Sequence, residues 1–333
     1  MRFGKINHYV ILGGGPFVAF LCKELHQRNK KFSVFTSPRH LEDLIDRDDT
    51  SFETFFNANG IPLYVTHDIS TETEFLSLIN ESTLVIGIGQ AWTVIPEIIT
   101  HLNGRFVDFM GIPLPQNRGG AHYTWQILSQ NRLGACNIET VDEFTRQGIR
   151  DTGVLIKSLS YFFPAAARKP IDYFEYATEK ELNFMFEFIE EVEQNLDFKL
   201  MDVDEHQSTY FPRLNTLKNG FINWNWSSEE IERFICAFDQ PYPGAATMIE
   251  HQWVRIKNVQ LIHSDGPFHP FQVGLIYRII EEKIFVATKQ GTLVISEVNN
   301  EEGVLINSSL KCGQRFFTPQ EAIEKGLTTT ITL

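Results

Sequence analysis

A glycine turn near the N-terminus is the first place where residue types and spacing could do chemistry. Gly13, Gly14 and Gly15 follow an apolar run at residues 8–12 and precede a helical pattern. Such a turn exposes backbone amides that can hold a pyrophosphate. The dinucleotide fingerprint needs a third glycine, where this chain has Val18. We therefore interpret the segment as a tight strand-to-helix turn.

Cysteine spacing gives no metal or disulfide chemistry. Cys22, Cys136, Cys236 and Cys312 lie far apart and form no Cys-x-x-Cys pair. Neither a structural zinc site nor a disulfide framework is expected. We expect these residues to be small buried hydrophobes in a reducing compartment.

The composition is globular and acidic. The chain has 333 residues, 43% hydrophobic and 21% charged, which excludes a disordered or fibrous protein. Lys and Arg number 29 against 42 Asp and Glu, so the formal charge of −13 disfavours nucleic-acid binding. No signal-peptide pattern and no run of about 18 apolar residues is present. We expect a cytoplasmic protein with neither nucleic acid nor membrane as a partner.

The elements that must position any site alternate in the N-terminal part. Strand patterns lie at residues 8–12, 31–35, 83–87, 106–110 and 154–158, and helical patterns at 17–26, 94–102, 123–128 and 179–196. A strand–helix–strand beginning implies a parallel sheet. The pattern predicts an α/β, Rossmann-like domain over residues 1–205.

The composition and the hydrophobic pattern of the sequence change after about residue 200. A segment rich in Gly, Pro, Asn and Trp is followed by a predicted helix at 228–238, with Ser227 or Ser228 as its N-cap. Short β-rich runs then recur at 254–263, 272–280, 283–287 and 292–298. We predict a connecting segment over 206–245 and a small β-barrel of the OB type over 246–333.

Three segments carry motifs that are more specific than this pattern. Residues 114–120 read Leu-Pro-Gln-Asn-Arg-Gly-Gly, and residues 151–156 read Asp-Thr-Gly-Val-Leu-Ile. Residues 210–245 hold Tyr-Phe-Pro-Arg-Leu and, later, Phe-Asp-Gln-Pro-Tyr-Pro-Gly-Ala. Together they resemble the folate-dependent formyltransferases. These include methionyl-tRNA formyltransferase and, more closely, the sugar N-formyltransferases that act on nucleotide-linked amino sugars.

The resemblance implies a donor, an acceptor and a binding site. The donor would be N10-formyltetrahydrofolate, and the acceptor the amine of a nucleotide-linked amino sugar of lipopolysaccharide or O-antigen biosynthesis. Residues 87–92 match the loop whose backbone embraces the pterin, because an apolar slot with backbone donors and acceptors suits that ring. The residues implied in donor binding are Gly87, Gly89, Gln90, Trp92, Leu114, Arg118 and Asp142. A homodimer is left open, and no metal is implied.

Formyl transfer asks three things of a site. The amine must lose a proton, the tetrahedral oxyanion must be stabilised, and the leaving folate nitrogen must receive a proton. The family uses Asn, His and Asp, with Asn-x-His ahead of the Leu-Pro-x-x-Arg-Gly turn. Counting back from Arg118, these two positions hold Asp108 and Met110, while Asp151 occupies the Asp position.

Each of the two substitutions removes a catalytic group that the family uses. Ionised Asp108 accepts hydrogen bonds and would repel an oxyanion. Met110 carries no proton to exchange, whereas His shuttles one near neutral pH. Losing one oxyanion donor costs roughly 10²–10³ in rate, and losing a general acid or base roughly 10²–10⁴. We expect formyl transfer to be slow or absent.

Two residues could replace the missing catalytic groups, and one insertion could alter the site. His122, shortly after the Arg-Gly-Gly turn, could replace the missing histidine or be an ordinary helix-start residue. Asp108 could stay protonated beside Asp151 and donate as Asn does, since close carboxylates share a proton. Asp151 could equally be a structural carboxylate. Residues 144–150 lengthen the spacer after Asp142 beyond the family's usual length.

Three functions remain in competition. The first is an active sugar N-formyltransferase with a non-standard site. The second is a pseudoenzyme that keeps a folate or nucleotide-sugar pocket. The third is a transferase of another one-carbon or acyl group, for which the insertion at 144–150 could reshape the donor pocket.

Overall fold

The computed structural model describes residues 1–141 and 153–331. The chain divides into two compact units. The first unit comprises Met1–Arg118, Leu133–Phe163 and Phe174–Tyr210, and the second comprises Gly119–Arg132, Pro164–Tyr173 and Phe211–Leu333. The domain boundaries from the sequence, 1–205, 206–245 and 246–333, stay a prediction.

The described residues form strands and helices of very different lengths. The strands are β1 His8–Gly13, β2 Phe32–Thr36, β3 Leu63–Val65, β4 Thr83–Ile88, β5 Phe106–Met110, β6 Arg118–Gly119, β7 Leu133–Thr140, β8 Leu155–Phe162, β9 Tyr210–Phe211, β10 Ala245–Ile249, β11 Gln252–Ile262, β12 Ile276–Ile280, β13 Lys283–Thr288, β14 Gly291–Asn300 and β15 Phe316–Phe317. The helices are α1 Gly15–Gln27, α2 Phe52–Ala58, α3 Thr73–Leu78, α4 Pro96–Leu102, α5 His122–Ser129, α6 Pro170–Glu193, α7 Thr216–Asn219, α8 Ser228–Ala237 and α9 Gln320–Thr328.

The first unit is built on a seven-stranded sheet in the order β3-β2-β1-β4-β5-β7-β8. The first five strands are parallel, and β7 and β8 run antiparallel. Two apolar cores flank the sheet, one filled from α1, α2 and α6 and the other from α3 and α4. The predicted α/β class with a parallel sheet is confirmed, and two antiparallel strands extend it.

The strand order reverses between β1 and β4. The chain leaves β1 for β2 and β3 on one side, and later enters β4 and β5 on the other. Such a switch point opens a crevice at the carboxyl ends of the strands, where α/β proteins bind ligands. The glycine turn after β1 and the loop at 87–92 both lie at this edge.

The second unit is built on a six-stranded antiparallel sheet in the order β12-β13-β14-β11-β10-β15. The sheet curls until its edges meet: Phe316 N–H donates to Gly274 O at 2.9 Å, just before β12. Helix α8 packs on it and starts at a capping box between Ser227 and Glu230. A curled β-sheet domain was expected here, and the OB assignment itself stays a prediction.

Several details differ from the sequence-based expectations. Strand β7, which contains Gly134 and Asn137, was not expected, because small and polar residues interrupt its apolar pattern. Three cysteines are buried as expected, but Cys312 is exposed. In the described part of the chain, no helix combines the length and hydropathy needed to cross a bilayer.

Candidate functional site

The loop at residues 87–92 begins where β4 meets its neighbour β1. Gly13 and Ile88 are paired across these strands, and a Cβ on Gly13 would lie 2.8 Å from the Ile88 carbonyl carbon. Only glycine permits this approach at the observed φ of +147°. Gly89 then turns the chain with a φ of +60°. The loop is therefore anchored to the sheet at the switch point.

The turn after β1 has less room for an anion. A Cβ on Gly14 would lie 2.8 Å from His40 Nδ1, so the imidazole covers this glycine. The same nitrogen is hydrogen-bonded to Asp43 Oδ2 at 2.7 Å. These contacts favour the interpretation of a tight turn, because a side chain already packs where a pyrophosphate would approach.

Asp108 and Gln90 converge on Gly87. Asp108 is paired with Gly87 in the parallel register of β4 and β5. A Cβ on Gly87 would lie 2.6 Å from Asp108 Oδ1 and 2.7 Å from Gln90 Cδ. The glycine thus leaves the space in which a carboxyl and a carboxamide meet. The structure brings together these three residues of the predicted site.

Met110 and Asp108 point to the same face of the sheet. Val107 and Phe109 belong to the core with α6, so the alternation of β5 directs Asp108 and Met110 to the opposite face. Met110 is paired with Asn137 on β7. The Asn137 amide donates to Ile112 O at 2.6 Å, so it is committed to the backbone. Asn137 therefore does not replace the family's asparagine.

Glu139 is a site residue that the sequence analysis missed. It is 1% exposed and lies opposite Asp108 in the β5–β7 register. Directly opposed residues of antiparallel strands have Cβ atoms about 4.5–5.5 Å apart. The signal in the sequence was the period of two in β7, where Asn137 and Glu139 alternate with the core residues Cys136 and Ile138.

Two buried polar atoms of the loop have no hydrogen-bond partner in the described part of the chain. They are Gln90 Oε1, an acceptor, and Trp92 Nε1, a donor. Thr36 Oγ1, in the last residue of β2, is also buried without one. Buried polar groups are nearly always satisfied, so a cluster of exceptions marks a place where a ligand or water completes the bonding. The assignment of a pterin to this loop stays a prediction.

The remaining predicted donor-binding residues divide into described and undescribed ones. Leu114 is partly buried, and Arg118 is buried with its backbone N–H donating to Thr209 O at 3.0 Å. Asp142, Asp151 and the segment 144–150 lie outside the described residues. Their proximity to Asp108 therefore stays a prediction.

His122 begins helix α5 in the second unit. Burial and, secondarily, the Arg213 guanidinium lower the pKa of His122 to about 4. Its Nδ1 is buried and has no hydrogen-bond partner among the described residues. The imidazole is therefore neutral at physiological pH. Its participation in catalysis stays a prediction.

A second buried carboxyl, that of Glu181 on α6, was also missed. It is 6% exposed, and a Cβ on Gly111 would lie 2.5 Å from its Oε1. Burial raises the pKa of Glu181 to about 8. It lies near Cys136 and Tyr161, whose pKa values are raised by burial and then by its charge. Helix α6 packs on the sheet face opposite to Asp108, so Glu181 belongs to the core side.

A family match covers part of the second unit. Residues 216–311 match the family described as formyl transferase, C-terminal domain. The chain is related to the folate-dependent formyltransferases. It is 30% identical over 121 residues to the methionyl-tRNA formyltransferase of Blochmanniella floridana, covering 34% of this chain and 36% of the relative. The chain thus spans about a third of the length of the curated relatives it matches.

Solved structures share the fold over most of this chain. An N-formyltransferase from Helicobacter canadensis, in complex with folinic acid and dTDP-3-aminofucose, has a TM-score of 0.62 at 16% identity. The match covers 88% of this chain and 99% of that one. HypX from Aquifex aeolicus has a TM-score of 0.59 at 16% identity, covering 89% of this chain and 46% of HypX. These likenesses concern the fold.

Proposed function

We propose that the protein transfers a formyl group from N10-formyltetrahydrofolate to the amine of a nucleotide-linked amino sugar, slowly, through a modified site. The observation that carries this proposal is the meeting of Gln90 and Asp108 over Gly87 at the switch point of the sheet. The site lies at the end of the sheet where α/β folds bind small molecules.

The loop at 87–92 would hold the pterin. Its backbone turns at Gly89, and its buried Trp92 Nε1 offers a donor that nothing in the described chain accepts. Apolar residues of the core with α3 and α4 pack against the Trp92 side chain. An apolar slot with a few polar atoms suits a flat heterocycle better than a sugar.

Gln90 would take over the oxyanion role of the missing asparagine. A carboxamide carries two N–H donors, and its oxygen and nitrogen ends have nearly the same shape. With the amide turned by 180°, its NH₂ group would take the buried place of Oε1, next to Asp108. There it could donate to the formyl oxygen as the carbon becomes tetrahedral.

Asp108 would then act as the base. The attacking amine forms its bond to the formyl carbon and loses a proton, which the carboxylate accepts. The carbon–N10 bond breaks, and N10 leaves with a proton. Met110 cannot supply that proton, so it must come from Asp108 or from water. Slow transfer is the consequence, because the proton donor at the family's histidine position is lost.

The amine of a sugar nucleotide is favoured over that of a charged tRNA. The chain carries a formal charge of −13, which disfavours a polyanionic acceptor. A nucleotide sugar brings only two phosphates. The likeness to the Helicobacter canadensis enzyme, covering 99% of that chain, supports the same acceptor class without identifying the sugar.

Calorimetric titration with folinic acid, followed by a transfer assay on a panel of dTDP- and UDP-linked amino sugars, tests the proposal. We expect folinic acid to bind, and Gln90→Leu to reduce transfer by about 10²-fold, as expected for one lost oxyanion donor. Gln27→Leu is the matched control, since Gln27 is exposed at the end of α1. If wild-type protein does not bind folinic acid, the proposed function is wrong.

The losses at Asp108 and Met110 also favour a second candidate, a protein that binds folate or a sugar nucleotide without transfer. It predicts folinic acid binding that Gln90→Leu weakens, with no formyl product from any acceptor at long incubation. A product other than a formamide, with a different acyl donor, would instead favour transfer of another one-carbon or acyl group.

A further inference from the structure

A cavity of about 410 Å³ lies wholly within the second unit. Its walls come from α5, from residues 212–214, from Asn219, from residues 226–238 around α8 and from residues 326–330 at the end of α9. This volume lies in the range of small-molecule sites, about 300–1,000 Å³. Nothing in the proposed formyl transfer uses this cavity.

Aromatic side chains form its apolar walls and are held in place. Trp125 donates its indole N–H to Pro212 O at 2.8 Å, so the polar edge of this ring is already satisfied. Trp226 packs edge-on against Phe234 at 5.1 Å, and Phe234 against Phe238 at 4.8 Å. Helices α5 and α8 are tied by the Thr124 hydroxyl, which donates to Ala237 O at 3.2 Å. The rings are therefore preorganised.

Two arginines, Arg213 and Arg233, also line the cavity. The stem of Arg213 lies across Gly120: a Cβ there would be 2.5 Å from Arg213 Cγ. This contact explains the second glycine of the Arg-Gly-Gly motif, which the proposed function leaves unused. Within the described residues, Arg213 makes no ion pair or hydrogen bond through its guanidinium.

The acidic residue of the lining, Glu230, is already engaged. Its Oε2 accepts from Ser227 N–H at 2.8 Å in the capping box of α8. Two arginines against one carboxylate leave the lining net positive, in a chain whose net charge is −13. A cation-bearing aromatic cavity in an acidic protein selects for an anion that carries a ring.

We propose that this cavity binds a small aromatic anion of about mononucleotide size. Its flat ring would pack against Trp125 and Trp226, and its phosphate or carboxylate would pair with Arg213 and Arg233. Stacking on aromatic side chains is worth about 1–3 kcal/mol per base, and guanidinium groups match phosphate and carboxylate geometry. Nucleoside monophosphates and reduced folates share this chemistry. The proposal does not depend on formyl transfer.

Titration of the full chain with UMP, AMP and folinic acid, followed by tryptophan fluorescence and calorimetry, tests it. Uridine supplies a ring without the anion, and ribose 5-phosphate supplies the anion without the ring. We expect at least one aromatic anion to bind ten-fold or more tightly than both partial ligands. The strongest binder then assigns the class. Equal binding of ribose 5-phosphate or of uridine, or no binding by any aromatic anion, would overturn the proposal.

Substitutions show which of the two sites the ligand occupies. Arg213→Gln should weaken binding about ten-fold or more, while Arg2→Gln, an exposed arginine of the first unit, should not. Trp226→Phe should remove most of the fluorescence change, and Trp92→Phe should keep it. The reverse result would place the ligand at the loop of residues 87–92 and refute the proposal for the cavity. Circular dichroism confirms that each variant is folded before titration.

Discussion

At the two ends of the sheet in the first unit, polar side chains differ in whether they are hydrogen-bonded within the protein. At the amino end, the Thr83 hydroxyl donates to Leu78 O at 2.6 Å. His8 Nε2, at the start of β1, is hydrogen-bonded to Ser33 Oγ at 3.1 Å. Both of these side chains therefore find their partners inside the protein.

At the carboxyl end, the corresponding atoms do not. Thr36 Oγ1, Gln90 Oε1 and Trp92 Nε1 are buried without a hydrogen-bond partner among residues 1–141 and 153–331. An unsatisfied buried polar group costs about 1–3 kcal/mol, so such a cluster is not a by-product of folding. Under the proposed function, these atoms at the carboxyl end face a ligand, whereas the hydrogen-bonded side chains at the amino end contribute to stability.

The largest expected effect comes from restoring the family residues at the carboxyl end. The double change Asp108→Asn with Met110→His adds an oxyanion donor and a proton shuttle. We expect formyl transfer to rise by roughly 10²–10⁴-fold, measured as folate release with the amino-sugar nucleotide panel. Each single change should give less than the double change.

Three other results would revise this view of the carboxyl end. Brisk wild-type turnover that the double change abolishes would show that Asp108 is an efficient base by itself, so that transfer is not slow without the family's residues. Similar rates in both forms would mean that neither position carries the chemistry. Absence of turnover in both, despite folate binding, would direct attention to the segment 144–150 or to another acceptor.

A substitution at Glu181 tests whether this buried carboxyl, on the core side of the sheet, has only a structural role. Its pKa of about 8 exceeds that of an unfolded Glu, about 4.3. The folded state thus holds the proton more tightly, and stability falls as pH rises from about 4 to 8. Glu181→Gln should remove this slope and stabilise the protein at pH 9 by about 2–4 kcal/mol.

Urea unfolding at pH 6 and pH 9 measures that effect. Glu190→Gln is the matched control on the same helix, because Glu190 is exposed. A slope that persists in Glu181→Gln would assign the pH dependence to another group. Loss of formyl transfer without loss of stability would instead move Glu181 into the chemistry.

Two glycines separate the site face from the core face. Gly87→Ala would push against the movable ends of Gln90 and Asp108, so we expect folinic acid affinity to fall about ten-fold with little change in stability. Gly111→Ala would push against the buried Glu181 carboxyl, and we expect a loss of about 1–3 kcal/mol in stability. Calorimetry and urea unfolding of both variants check the pair. Equal effects on affinity would contradict the division.

The smallest expected effect is on stability, when a threonine at each end of the sheet is replaced by valine. Thr83→Val removes a satisfied hydroxyl and leaves Leu78 O without its donor, so it should cost about 1–2 kcal/mol. Thr36→Val removes an unsatisfied hydroxyl and should be neutral or slightly stabilising without ligand. Thermal unfolding of both variants measures this. A destabilised Thr36→Val protein would show that the carboxyl end is satisfied after all.

The sequence was sufficient for the framework. Apolar runs at residues 8–12, 83–87 and 106–110 predicted three strands of a parallel sheet, because strands buried on both faces are rich in apolar residues. The recurring short β runs after residue 250 predicted the antiparallel sheet of the second unit. The motifs at 114–120, 151–156 and 210–245 together gave the family resemblance, and counting back from Arg118 singled out Asp108 and Met110.

Tertiary structure decided which residues meet. Glu139 lies opposite Asp108 only because β7 runs antiparallel beside β5, and that pairing joins residues 31 positions apart. The raised pKa of Glu181 depends on burial, which no local pattern specifies. The cavity of the second unit draws its walls from five separate segments between Trp125 and Thr330. Local sequence determines what an element is, whereas its neighbours determine the environment, and chemistry depends on the environment.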